Sequence, residues 1–354
     1  MGKPDRLPVT IHQWQDFHLK EFMGGCDQLE AYIKTGLDAS VALFWGRGEP
    51  SPDWTVTSET LAPDSRGAIE TRFRVQTPDG ELTFARAQDR TTTFFTEHIC
   101  KSLDEVDLFL KHWPRQTHDH RGAIEWYDRT GDHGILRGFI SAFGQAGPWQ
   151  DFVEIVGTQA AIYYAMDEPE WVHAILQKLC DIKVKYVHEQ LKGAPYDLIE
   201  TGGGAGSSTV ISPSMFREFC VPYDRAIHDA LHDVGFLVAY HTCGGMMAIL
   251  DDIPENHCDA SETLSPPGMG GDIGLEDRLT VKEKLGSRVS LIGGLDQFNI
   301  LTEKGPKEIK EDVLHLFQTF GQGGGYICSA SDHFFETPVG NLMALAEAGR
   351  ECLY

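Results

Sequence analysis

The chain has 354 residues, of which 41% are hydrophobic, and its 30 Lys and Arg against 53 Asp and Glu give a formal charge of −23. This composition excludes an intrinsically disordered chain and supports a sizeable core. The negative charge excludes nucleic acid and anionic membranes as partners, because a polyanion would require a basic stripe. No signal peptide or membrane-spanning stretch is apparent, and the eight scattered cysteines indicate reduced thiols, so we expect a cytoplasmic protein.

Short apolar runs alternate with helical patterns along the chain. We predict eight strands at residues 7–12, 38–44, 134–141, 197–201, 236–241, 259–263, 289–293 and 325–329. Their β-branched, apolar character is typical of strands buried on both faces. The main helical stretches are predicted at residues 168–192, 212–234, 306–320 and 338–353. Strands that alternate with helices in this way predict one (β/α)₈ barrel domain over residues 1–354, an α/β fold of the TIM-barrel type.

Residues 54–95 interrupt this rhythm. The segment ETRFRVQTPDGELTFARAQ alternates with a period of two on both sides of Pro78-Asp79-Gly80. Such alternation around a Pro-Asp-Gly turn is typical of a β-hairpin. We therefore predict a β-hairpin insertion after the second barrel strand, lying over one face of the barrel.

In barrels of this class the catalytic groups lie at the carboxyl ends of the strands. His241 and Cys243 end the fifth predicted strand and are two residues apart, so both side chains can converge on one ion. Cys328 ends the eighth strand and Glu262 the sixth. Imidazole, thiolate and carboxylate are zinc ligands, and we predict a zinc site from these four residues. The alternatives are core cysteines, a capping histidine and, for Glu262, a solvated carboxylate.

Other strand-end residues are candidates for catalysis or substrate binding. Glu200 could be the fourth zinc ligand, a general acid or base, or a substrate contact, and His333 could donate a proton or support a ligand. Asp296 could orient a ligand or cap the helix that follows it. The aromatic rings that could wall an apolar cavity, unless they are ordinary core residues, are Trp14, Phe44, Trp45 and Phe143.

A zinc–thiolate site suits methyl transfer. The ion can lower the pKa of an incoming thiol and hold it as a nucleophile, or it can polarise a methoxy or methylamine leaving group.

Several motifs resemble the uroporphyrinogen decarboxylase superfamily. They are residues 211–216 (ISPSMF), 240–244 (YHTCG), 288–301 (RVSLIGGLDQFNIL), 323–328 (GGGYIC) and 336–338 (ETP). The superfamily contains metal-free porphyrinogen decarboxylases and zinc methyltransferases of corrinoid-dependent C1 metabolism, such as methylcobalamin:coenzyme M methyltransferases. The second group carries a His-x-Cys motif and a distant Cys as zinc ligands. Its resemblance to this chain implies His241, Cys243 and Cys328 in those roles.

The decarboxylases look different in the N-terminal half, where an Arg-rich segment grips the substrate carboxylates. Residues 43–48 (LFWGRG) contain a single Arg at that place. The resemblance therefore implies an enzyme, a zinc-dependent methyltransferase that moves a methyl group between a small methylated substrate or thiol and a corrinoid. The corrinoid (cobalamin) would be free or on a partner protein, and a homodimer is compatible with this class. The alternatives are a metal-free lyase acting on a tetrapyrrole and a non-catalytic corrinoid- or metal-binding module.

Overall fold

Parallel strands form a barrel in a computed structural model of the chain, which describes residues 2–44, 46–140 and 147–354. The strands in these residues are β1 Val9–Thr10, β2 Ala39–Leu43, β3 Gly46–Gly48, β4 Thr55–Thr60, β5 Ile69–Thr77, β6 Gly80–Gln88, β7 Thr93–Glu97, β8 Gln116–His118, β9 Gly134–Phe139, β10 Leu198–Gly202, β11 Leu237–His241, β12 Ala260–Thr263, β13 Ser290–Leu295 and β14 Tyr326–Ala330. Eight of them form one sheet in the order β1-β14-β13-β12-β11-β10-β9-β2. These eight coincide with the predicted strands, which confirms the (β/α)₈ barrel.

The ends of the barrel sheet nearly meet. The backbone N–H of Asp38, next to β2, donates to the Val9 carbonyl at 2.9 Å, and the Val9 N–H donates to the Asp38 carboxylate at 2.8 Å. Side-chain and backbone bonds thus join β1 to the start of β2.

Helices cover the outside of the barrel. In the described residues they are α1 Asp16–Glu21, α2 Gln28–Thr35, α3 Leu103–His112, α4 His120–Thr130, α5 Pro148–Val156, α6 Thr158–Asp167, α7 Pro169–Tyr186, α8 Pro213–Met215, α9 Val221–Asp233, α10 Arg278–Lys284, α11 Pro306–Leu316 and α12 Val339–Glu351. Wider helical turns extend α7, α8 and α11. The start of α8 follows from local chemistry, because the Ser212 hydroxyl accepts from the Met215 N–H at 3.2 Å with Pro213 in the first turn. Among these helices, none has the length and apolar character needed to cross a membrane.

The insertion after β2 is larger than a single hairpin. Strands β5 and β6 pair around Pro78-Asp79, which confirms the predicted hairpin, and β4 and β7 extend it to a four-stranded antiparallel sheet in the order β4-β5-β6-β7. The sequence analysis did not predict the two outer strands. β4 is exposed along its whole length and β7 contains no buried residue, so neither has a buried apolar face that would produce an alternating pattern.

The strands of the barrel alternate between its interior and its helix layer. Small and branched side chains from six strands fill one interior layer, separate from the main core: Ile135, Leu198, Ala239, Ala260, Ile292 and Ile327. Side chains two residues further along each strand point the same way. The next layer therefore contains four buried charged or titratable groups from neighbouring strands, Arg137, Glu200, His241 and Glu262.

Candidate metal centre

His241 and Glu262 lie side by side at the carboxyl ends of β11 and β12, where the strand register pairs the two residues. Both side chains are buried, and His241 Nδ1 donates to Glu262 Oε1 at 3.1 Å. This contact fixes the imidazole ring and leaves Nε2 as the nitrogen that can face a metal. A carboxylate behind the imidazole is the usual support of a metal-binding histidine.

Cys243 and Asp332 approach His241 from two different loops. Cys243 follows β11 by two residues and is partly exposed, and Asp332 lies in the loop after β14. One ligand atom from each of the three residues lies within 4.8 Å of the others. An imidazole, a sulfur and a carboxylate oxygen are donors that zinc accepts, and catalytic zinc sites take three protein ligands and keep one position open. The residues present therefore fit a zinc ion.

A deeper group of four residues has the same compactness, because the ligand atoms of His12, Glu200, His241 and Glu262 also lie within 4.8 Å of one another. Arg137 forms ion pairs with both carboxylates of this group: its Nη2 atom is 2.5 Å from Glu200 Oε2 and 2.8 Å from Glu262 Oε1. The guanidinium thus contacts both carboxylates, which a metal would otherwise do. Glu200 and Glu262 form an ion-paired group with Arg137 in the same interior layer as His241.

The pKa values of these buried groups are shifted by burial and by the charges of their neighbours, above all Arg137. Burial raises the pKa of Glu200 to about 7, although Arg137 opposes the shift. Burial acts in the same direction on Glu262, but Arg137 and the bond from His241 outweigh it and hold the pKa of that carboxyl far below its usual range. Burial lowers the pKa of His12 to about 3. For His241 the neighbouring Cys243 and carboxylates outweigh burial and raise the pKa.

Cys328 does not belong to this site, which corrects the predicted ligand set. It follows the interior residue Ile327 by one position and therefore points into the helix layer. There it is fully buried among core side chains, and the charged or polar side chains around it are Tyr326, Asp312, Cys352 and Arg278. Burial raises the pKa of the Cys328 thiol to about 12, so the thiolate that a metal requires is disfavoured.

Two other predicted residues have clear positions. Asp296 caps the helical turn at Gln297–Thr302, where its carboxylate accepts from the backbone N–H groups of Phe298 at 3.0 Å and Asn299 at 2.8 Å. This is the capping role, one of the two alternatives for Asp296, and its contact with substrate stays a prediction. His333 lies at the mouth, where its Nε2 is 2.6 Å from the Gln13 side-chain amide.

A cavity of about 660 Å³ opens beside Gln13, between α1, the end of β2 and residues 88–93 of the insertion sheet. Of the predicted aromatic residues, Trp14 and Phe44 both line it. Phe44 is 62% exposed and stacks on Phe139 with ring centroids 3.9 Å apart, whereas Trp14 is largely buried. Trp45 and Phe143 lie outside the described residues.

Two charged residues of the site were absent from the sequence predictions. Arg137 is a single charge within the apolar strand GILRGF, and a charge in a strand buried on both faces signals a buried ion pair. Asp332 stands four residues after Cys328, beyond the end of β14, and strand periodicity does not extend into that loop.

The fold and the charged strand ends together define an enzyme-type TIM barrel with its polar groups at the carboxyl edge. A family profile described as uroporphyrinogen decarboxylase (URO-D) matches residues 132–352. Since the match spans more than half of the chain, the protein belongs to the URO-D family.

Among the curated relatives, the uroporphyrinogen decarboxylase of Coxiella burnetii is 27% identical over 203 residues, which are 54% of this chain and 50% of that protein. The enzyme of the same name from Vibrio cholerae is 32% identical over 164 residues, which are 44% of this chain and 41% of that protein. The chain spans about half the length of the curated relatives it matches. A solved structure named as a methyltransferase from Methanosarcina mazei shares the fold with a TM-score of 0.67 at 15% identity, covering 99% of this chain and 95% of that one.

Proposed function

We propose that the protein is a zinc-dependent methyltransferase that moves a methyl group between a small methylated substrate or thiol and a corrinoid. The observation that carries the proposal is the convergence of His241, Cys243 and Asp332 at the carboxyl edge of the barrel, beside a large cavity. When bound, zinc would hold a thiol as thiolate or would polarise the heteroatom that carries the methyl group.

The residues around the three ligands have separate roles in this proposal. Glu262 would fix the tautomer of His241 by accepting from Nδ1, and Arg137 would keep Glu262 ionised. Glu200 shares Arg137 and lies 3.5 Å from His241 Nδ1, so it would act as a positioning residue. His333 lies beside Asp332 and contacts Gln13, which lines the cavity, so it would contact substrate.

The cavity would receive the substrate, and its walls favour a compound with little net charge. Phe44 and Trp14 supply apolar surface for a flat ligand. The cations Lys20 and Arg90 line the same cavity as the acids Asp16 and Glu21, so the charges balance.

This balance argues against the rival function, decarboxylation of a tetrapyrrole, which the names of the curated relatives favour. A substrate with many carboxylates would require a cluster of guanidinium groups. Arg137, the buried guanidinium at the barrel centre, is already paired with two glutamates. The fold similarity to the Methanosarcina methyltransferase is compatible with methyl transfer.

Metal content and methyl transfer, measured on the same preparations, test the proposal. We expect at least one zinc ion per chain in the native protein and one zinc ion fewer per chain in His241→Ala and Cys243→Ser. Cys26→Ser is the matched control, because Cys26 is also a partly exposed free thiol but lies outside the site. Methyl donors are then screened against reduced cobalamin by the change in its absorbance.

Methylation of cobalamin by the native protein, lost in Cys243→Ser and kept in Cys26→Ser, would support the proposal. Protein without zinc that releases CO₂ from a tetrapyrrole would establish the rival lyase. Tight zinc or cobalamin binding without turnover on any donor would point to a binding module.

A further inference from the structure

His12, Asp332 and His333 form a second compact group at the mouth of the barrel. One ligand atom from each lies within 4.8 Å of the others. Asp332 is the one residue that this group has in common with the His241–Cys243–Asp332 triad. Two donor sets joined by one carboxylate have the arrangement of a two-metal centre, in which the ions are roughly 3.5–4 Å apart.

His12 turns the same ring nitrogen to Glu262 as His241 does. The two ring centroids are 4.8 Å apart, and His12 Nδ1 lies 3.5 Å from the Glu262 oxygen that accepts from His241. His12 is 4% exposed, and its Nδ1 is buried without a hydrogen bond among the described residues. With Nδ1 turned to Glu262, Nε2 is the nitrogen left for the side of the ring that faces His333, whose ring centroid is 5.2 Å away.

The neighbouring residues fix His333 for the same purpose. The Gln13 side-chain amide lies 2.6 Å from His333 Nε2. With its oxygen turned to the ring, this amide would accept from Nε2–H, and the lone pair of Nδ1 would then be free for a cation. Nδ1 lies 3.4 Å from Asp332 Oδ1. Two ligands at bond lengths of about 2.0–2.1 Å from a tetrahedral ion are about 3.3 Å apart. The pair thus already has the separation of two ligands on one ion.

We propose that His12, Asp332 and His333 bind a second divalent cation, bridged through Asp332 to the ion held by His241 and Cys243. The inference rests on the proposed function for that first ion and deepens it. Two imidazoles and a carboxylate form a harder site than one with a thiolate, and such a site suits an oxygen or nitrogen donor. His333 is 37% exposed and touches Gln13, which lines the cavity, so the second ion would bind the heteroatom of an O- or N-methylated substrate entering from the cavity.

Cobalt substitution tests the second site without requiring activity. The native protein is loaded with Co²⁺ and assayed for bound cobalt, for thiolate-to-cobalt charge-transfer absorption and for its EPR signal. We expect two cobalt ions per chain, the charge-transfer band from Cys243, and an EPR signal weakened by coupling through Asp332. His333→Gln should bind one ion, keep the band and show the full signal of an isolated ion. His133→Gln, at an exposed position outside the site, is the control.

The two ions can be judged separately. Cys243→Ser should lose the band but keep an ion bound by nitrogen and oxygen donors. Native protein that binds one cobalt ion with the band present, and is unchanged by His333→Gln and His12→Gln, would overturn the second site and leave the first intact. Native protein without the band would overturn the first ion and with it the bridged pair. Far-UV circular dichroism of each variant confirms that it is folded.

Discussion

Arg137 is the residue whose removal should disturb the site most, because it is the buried cation between two buried carboxylates. Its side chain is 2% exposed, and its Nη2 lies 2.8 Å from Glu262 Oε1. Replacing Arg137 with Met keeps an unbranched apolar stem and removes the charge. Breaking a buried ion pair by removing one partner costs about 3–5 kcal/mol, since the other charge stays buried without compensation. Proteins of ordinary stability have about 5–15 kcal/mol to lose, so the variant should fold with a much reduced free energy of unfolding.

Urea denaturation followed by circular dichroism measures this change, and a double-mutant cycle with Glu262→Gln assigns it. In the double variant one of the two carboxylates that lose their cation is gone and Glu200 remains, so we expect about 1–3 kcal/mol of the loss to be recovered. Arg115→Met is the matched control, because its bond to Glu189 at 3.2 Å is between exposed side chains and should be worth about 1 kcal/mol or less. A loss at Arg137 as small as that at Arg115, or strictly additive effects in the cycle, would refute the buried-pair reasoning.

Three further predictions concern the ligands and the core. Cys328→Ser should keep the metal stoichiometry of the native protein, measured by elemental analysis, whereas Cys243→Ser should lower it; equal losses would restore Cys328 to the ligand set. Glu262→Gln should weaken zinc binding by about 10–100-fold in a chelator competition, because it removes the charge behind the imidazole, and unchanged affinity would contradict that role. Burial raises the pKa of Asp224 to about 7 from 3.8, despite the hydrogen bond from Tyr240. The folded state therefore binds this proton more tightly than the unfolded state, and the resulting stability is lost as the pH rises through 7. Asp224→Asn should match the native free energy of unfolding near pH 4 and exceed it by up to about 4 kcal/mol at pH 8. If the free energies of unfolding of the variant and the native protein changed in parallel with pH, the raised pKa of Asp224 would be refuted.

The sequence was sufficient for the barrel because each strand is a short apolar run whose type does not depend on distant residues. The positions of His241 and Glu262 also followed from local pattern, since both end such runs and the register brings them together. The prediction of Cys328 as a zinc ligand was wrong because it placed this residue on the wrong face of its strand. A strand places neighbouring residues on opposite faces, and the interior residue is Ile327 rather than Cys328.

Asp332 could not be assigned from periodicity, because it belongs to a loop whose path is set by tertiary packing. Arg137 shows a related limit. Its charge marks a buried pair, but only the closed sheet shows that its partners are Glu200 and Glu262, 63 and 125 residues further along the chain.

In the proposed function, the barrel supplies the metal ligands and the insertion sheet supplies part of the wall of the substrate cavity. Every proposed ligand comes from the barrel strands or the loops that directly follow them, whereas one wall of the cavity comes from the end of β6 and residues 88–93. Under the proposed function, a change in the length or bulk of that hairpin end would alter the size and shape of an acceptable substrate and leave the proposed ligands in place. Exchange of this segment between related chains would thus be a direct route to new substrate preferences.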